Sequence, residues 1–304
     1  MNAAPALIGY AAAVGVAAPR LLLRSTWTHR SPALAVATWH GLTVSFTLAV
    51  ALAAYHLAVP TEHLHAGVVG ILHTCGLALG TGSTPNPDAV DALAVALPVL
   101  LMALLLGSFA YHVVRARRAR SRHLYILDVV GRRSASLRAV VLEHDLPAAY
   151  CLPGRHPRVV VSRGALRLLS DDQLDAVLEH ERAHIAGRHH LAMATAQAFA
   201  WVFWWLPLGR HAPEQTAMLL EMSADDRALR CQSREVLATA LYEMASAKAP
   251  QGAFSIGGPV ALARLQRVLA PPRRPHPLLS VSMAAAAVTV PLIPLLVGCT
   301  PSIG

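Results

Sequence analysis

The chain has 304 residues, of which 55% are hydrophobic and only 14% charged, with a mean hydropathy of +0.45. That balance excludes an ordinary soluble domain and leaves room for several membrane helices plus one domain of ordinary size. A formal charge of +9 first suggests a nucleic-acid partner, but nearly all the basic charge is arginine beside apolar runs. That is the pattern of membrane topology, and no direct nucleic-acid binding is expected.

Residues 3–19 carry no charge; Arg20, Leu21 to Leu23 and Arg24 follow. Because the charge comes after the apolar part, this run predicts a retained first span rather than a cleaved leader. Residues 33–59, 92–114 and 278–298 predict three more spans. Arg20, Arg24 and Arg30 follow the first span, and Arg115, Arg117, Arg118, Arg120 and Arg122 follow the third. Arg264, Arg267, Arg273 and Arg274 precede the fourth, whereas the connection at about 60–91 holds Glu62, Asp88 and Asp91 without a basic residue. The positive-inside rule then places both termini outside the cytoplasm of a multi-pass plasma-membrane protein. Three parts are expected: a three-span region 1–114 with its outer loop about 60–91, a cytoplasmic domain 115–276, and a fourth span with a short tail 277–304. In the outer loop, the run Gly67 to Gly80 is too short to span and predicts an interfacial segment, with His63, His65 and His73 beside it.

The cytoplasmic part opens with strand-like pieces at 124–127, 139–142 and 158–162, with a Pro153-Gly154 turn between the later pieces. A short helix is expected over 164–169. Ser170 with Gln173 forms a capping box, and Asp171 and Asp172 suit a helix N-terminus, so a helix is expected from 170 to Gly187. The stretch 191–208, with Trp201, Trp204 and Trp205, predicts a helix against the membrane with aromatics at interface depth. A further helix is expected from about Pro213 to Arg230. Cys75, Cys151, Cys231 and Cys299 show no metal-binding spacing and are expected to be small buried thiols.

The chemistry lies in His180-Glu181-Arg182-Ala183-His184. On a helix, two imidazoles four residues apart share a face and can reach one Zn2+, while the intervening glutamate acts as general base toward a water. A catalytic zinc needs a third protein ligand, and the motif alone does not decide which. His190 completes a literal H-E-x-x-H-x-x-G-x-x-H with Gly187. Glu221, in Glu221-Met222-Ser223-Ala224-Asp225-Asp226, is the other candidate. Asp225, one turn on, is placed to accept the outer N–H of a zinc histidine. A cytoplasmic site argues for Glu221, because proteases of the three-histidine type are extracellular or secreted. Arg155, His156 and His190 are candidates for stabilising an oxyanion.

His180-Glu181-Arg182-Ala183-His184, Arg188-His189-His190 and Glu221 to Asp226 together resemble the BlaR/MecR-type membrane metallopeptidases, relatives of the HtpX-type proteases. The runs Pro157 to Gly164 and Leu169 to Leu174 resemble the strand and helix start before the motif in both groups. Three spans before the protease domain favour the BlaR/MecR type over HtpX. The resemblance implies an α-helical membrane protein with four transmembrane helices and a cytoplasmic α+β zincin-like (gluzincin) protease domain. It also implies zinc on His180, His184 and Glu221, Glu181 as general base, and a winged-helix BlaI/MecI-type repressor as substrate. No Ser-x-x-K follows the fourth span, so the penicillin-sensor domain of that family is not expected.

Three functions follow as expectations: a zinc endopeptidase cleaving a cytoplasmic repressor in signal transduction, an HtpX-like quality-control protease, and a non-catalytic membrane receptor or scaffold with a structural zinc. Self-cleavage and a homodimer stay open.

Overall fold

The computed structural model describes residues 3–58, 89–247, 258–270 and 277–299. The interfacial run Gly67 to Gly80, the histidines at 63, 65 and 73, Arg273 and Arg274 all lie outside those residues. Among the described residues, four helical stretches are long and apolar enough to cross a membrane: Ala4–Arg24, Pro32–Leu57, Ala96–Val130 and Val281–Gly298. Little of the third and fourth is buried within the chain, and large apolar side chains such as Val99, Leu100 and Leu106 stand exposed. Such a surface is unstable in water and suits lipid.

The first stretch comprises α1 (Ala4–Ala12), a π turn (Ala13–Ala17) and α2 (Ala18–Arg24); after the short α3 (Trp27–Arg30) comes α4 (Pro32–Ala58). The last stretch is α12 (Pro277–Thr289), a 3-10 turn (Val290–Leu292) and α13 (Ile293–Cys299). Pro294 has no N–H to complete an α-helical bond to the Val290 carbonyl. That carbonyl instead accepts from Tyr10 Oη at 3.0 Å and Ser45 Oγ at 2.9 Å, which ties α1, α4 and the final stretch together. A backbone group freed by proline inside an apolar bundle needs such partners.

The third apolar helix does not stop at 114. It is α5 (Ala89–Val130), and the strand expected at 124–127 is its last part. A four-residue apolar run does not distinguish strand from buried helix, and the Arg- and Ala-rich stretch before it propagates helix well. Leu127, 2% exposed, packs against Val140, Leu152 and Val160, so the end of α5 lies on the sheet.

That sheet has four strands: β1 (Gly131–Ser134), β2 (Ala139–Leu142), β3 (Ala149–Leu152) and β4 (Arg158–Ser162), in the order β1-β2-β4-β3. β1 pairs antiparallel with β2, β2 parallel with β4, and β4 antiparallel with β3, with Tyr150 opposite Val160. Alternation along β4 sends Val160 toward α5, while Val159 and Val161 face Leu174, Val177 and Leu178 of the following helix. The sheet is thus clamped between α5 and the helix that carries the H-E-x-x-H motif.

α6 (Arg163–Leu168) leads to that helix, α7 (Asp171–Ala186). The capping box is present: Ser170 Oγ accepts from the Gln173 N–H, and Gln173 Oε1 accepts from the Ser170 N–H at 3.0 Å. Ser170→Ala should destabilise the fold by about 1 kcal/mol, read as a lower thermal unfolding midpoint with metal content unchanged. Arg188 takes the left-handed conformation (φ 49°) and turns the chain into α8 (His189–Val202). Gly187 keeps a right-handed φ of −77°, but a Cβ there would strike the His189 ring.

The stretch 191–208 is not one helix. α8 ends at Val202, a turn at 203–206 follows, and α9 (Pro207–Ala228) begins at Pro207, which is suited to a first helical position. α8 packs on α4 through Phe199 and Phe203 against Phe46, and on α5 through Ser108 Oγ donating to the Ala198 carbonyl at 3.4 Å. α10 (Arg234–Ser246) and α11 (Gly258–Leu269) complete the domain. Cys231 is exposed and Cys151 half-buried, so the expectation of uniformly buried thiols fails for these two.

Candidate metal centre

α7 presents His180 and His184 one turn apart, and α9 presents Glu221 and Asp225 at the same spacing. The two helices pack together so that these pairs meet. One donor atom from each of His180, His184 and Glu221 lies within 4.8 Å of the others. The two Nε2 atoms approach to 3.2 Å, and each lies 3.4 Å from an oxygen of Glu221.

The outer nitrogens are held elsewhere. His180 Nδ1 lies 3.0 Å from Asp225 Oδ1, and His184 Nδ1 lies 2.9 Å from His189 Nδ1. Both rings therefore turn Nε2 inward, as metal-binding histidines do when a partner fixes the other nitrogen. Asp225 is fully buried, and two N–H groups of Arg264 fork onto its carboxylate at 2.9 and 2.7 Å. A third, Arg264 Nη1, donates to Glu221 Oε2 at 2.8 Å. Arg264, on α11, thus orients both carboxylates of α9.

Glu181 accepts from the Cys151 thiol of β3 and also feels the charge of His180. Burial raises the Glu181 carboxyl above its ordinary range, with the Glu221 charge adding to the effect. The Cys151 thiol is pushed up to about 12, by burial and then by the charge and hydrogen bond of Glu181. It is an inert donor rather than a nucleophile.

The two histidines differ. Burial opposes charge on both, but Asp225 and Glu221 outweigh it at His180, which is raised to about 9. At His184 burial prevails, with His180 and His189 adding to it, and the imidazole falls to about 4. Burial also opposes the charge on Glu221 and Asp225. Contacts to His180 and Arg264 reverse that and hold each carboxyl at about 2. Three carboxylates (Glu181, Glu221, Asp225) against the Arg264 guanidinium and the charged His180 leave one excess negative charge, and a metal ion bound at the two inward imidazole nitrogens would displace the His180 proton. That donor set fits one divalent cation with N,N,O ligation and suits zinc.

His190 is not in this cluster: its Nδ1 is buried without a partner, and its neighbour His189 is the histidine that reaches the site. Arg155 and His156 are exposed on the β3–β4 turn. Neither His189 nor Arg264 was singled out by the sequence as a site residue. His189 follows His184 by five positions, a spacing that suggests nothing until the left-handed Arg188 turns the chain back. Arg264 was read as a topology arginine, and its buried ion pairs show a different task; Arg267 likewise pairs with Asp226 at 2.6 and 2.8 Å.

Asp225→Asn removes the charge that both His180 and Arg264 use. It is expected to weaken metal binding about 10- to 100-fold, measured by titration against a competing chelator.

Residues 115–219 match the profile of Peptidase family M48. The match holds His180, Glu181 and His184 and ends two positions before Glu221. The chain is similar to a protein named Protease HtpX homolog from Gemmatimonas aurantiaca, 31% identical over 147 residues, covering 45% of this chain and 51% of that protein. The chain thus spans about half the length of that curated relative. No solved structure shows a significant match.

Proposed function

We propose that the chain is an integral membrane zinc endopeptidase, with zinc held by His180, His184 and Glu221. The observation that carries this reading is the convergence of those three donors, with Asp225, His189 and Arg264 fixing their orientation. The M48 match over 115–219 and the similarity to a protease support hydrolysis rather than a structural metal. Zinc, when bound, acidifies a water and polarises the peptide carbonyl. Glu181, half-buried and held at its carboxylate by Cys151, takes the proton and returns it to the leaving amine. Arg264 keeps the Glu221 and Asp225 carboxylates in place throughout.

The arginines at 115–122 support a cytoplasmic protease domain under the positive-inside rule. Two substrate classes follow. A winged-helix BlaI/MecI-type repressor is the substrate in the signalling reading, which rests on the resemblance of motif and span order. Damaged membrane proteins are the substrate in the quality-control reading, favoured by the similarity to the HtpX homolog. The test incubates the reconstituted full chain and its Glu181→Gln variant with each class. Cleavage of the repressor at one site by wild type alone supports signalling; broad cleavage of misfolded membrane proteins alone supports quality control. Cleavage of neither, by a metal-loaded chain, rejects the endopeptidase reading.

A further inference from the structure

Between α5, α8 and α9 lies an open cavity of about 630 Å³, separate from the metal cluster, lined by His112, Arg115, Gln197, Trp201 and Pro213. It sits where the apolar part of α5 gives way to its arginines, one turn beyond the contact between Ser108 and Ala198. Four observations bear on what fills it. Arg115, Arg117, Arg118, Arg120 and Arg122 make no ion pair among the described residues, so five cations stand without an acidic partner along about two turns of helix. Glu214, the nearest acid in sequence to the lining residue Pro213, is exposed and pairs with none of them. His112 Nε2 is buried with no hydrogen-bond partner although its ring lines the cavity. Trp201, which lines the cavity, is 62% exposed.

Unpaired guanidinium groups beside an orphaned imidazole nitrogen favour an anionic acceptor, to which their hydrogen bonds are strongest. An exposed tryptophan beside the arginines that end an apolar helix marks the depth at which lipid headgroups lie. An anion at that depth, reached from the bilayer through an open cavity, is a phospholipid phosphate. We infer that this cavity is a binding site for an anionic phospholipid headgroup, with Arg115 and His112 on the phosphate and Trp201 beside the glycerol and upper acyl chain. The site would set the depth and tilt of α5, whose far end supports the sheet on which α7 rests.

The test is competitive lipid retention by the purified full chain, read by native mass spectrometry with equimolar phosphatidylglycerol and phosphatidylcholine. Phosphatidylglycerol should be retained selectively, and Arg115→Gln should weaken its retention about fivefold, the effect of one basic residue near an anionic surface. Arg115→Lys should preserve selectivity, and so should Arg133→Gln, which removes an arginine of β1. A second readout needs no change at the cavity cations. Phosphatidylglycerol with brominated acyl chains should quench the Trp201 share of fluorescence (wild type minus Trp201→Phe) more than brominated phosphatidylcholine. Equal retention of the two lipids, or equal quenching by them, overturns the inference. So does undiminished retention by Arg115→Gln, or displacement of the lipid by soluble glycerol phosphate at comparable concentration, which would assign a phosphate site and not a lipid site.

Discussion

Glu181→Gln is expected to lower peptide hydrolysis by about 10²- to 10⁴-fold, the usual contribution of a positioned general base, while the bound metal is retained. The separation of effects follows from the geometry. Glu181 lies on α7 between the two histidines in sequence, but its carboxylate meets Cys151 of β3 and is not among the clustered donor atoms. Glutamine has the same shape, keeps an oxygen for the Cys151 thiol and cannot take up a proton. The burial that raises the Glu181 carboxyl also makes it a better base than a solvated glutamate. Turnover of a peptide substrate and metal content, measured on one preparation, check this. A variant that cleaves at the wild-type rate removes Glu181 from the mechanism.

Glu221→Ala is expected to weaken metal binding by more than about 100-fold, the upper end for losing a supporting partner, and to abolish turnover with it. Glu221 is the anionic member of the cluster, with one oxygen toward each histidine. Its removal leaves two imidazoles, too few for a catalytic site. Arg264 keeps its fork onto Asp225, so the buried network retains one full ion pair and the fold should persist. His190→Ala serves as the matched control and should leave metal and turnover intact. Metal loss on His190→Ala with retention on Glu221→Ala would restore the three-histidine reading.

Much of this arrangement is legible in the sequence because its signals are local. The capping box starts α7 where Ser170 and Gln173 place it. The pairs at 180/184 and 221/225 announce two helix faces. Long uncharged runs announce the membrane helices. What escapes is non-local or carried by the backbone. Residues 124–127 are apolar and short, and they are helix because the stretch before them propagates it and Leu127 packs against Val140 and Val160. The strands at 131–134 and 149–152 are too polar or too irregular to show alternation before their partners are known. Arg264 and Arg267 look like topology markers until α11 folds back on α9 and buries them against Asp225, Asp226 and Glu221. The tryptophan-rich stretch looks like a single helix because neither Phe203 nor Leu206 signals a turn; Pro207 marks the restart.

The most direct test of the central claim is X-ray absorption at the zinc edge on the purified, membrane-reconstituted full chain. One zinc per chain bound by two imidazoles, one carboxylate and a water, with no sulfur, is the predicted result. A closed shell of four protein ligands, a sulfur ligand, or a chain that binds no zinc would contradict it.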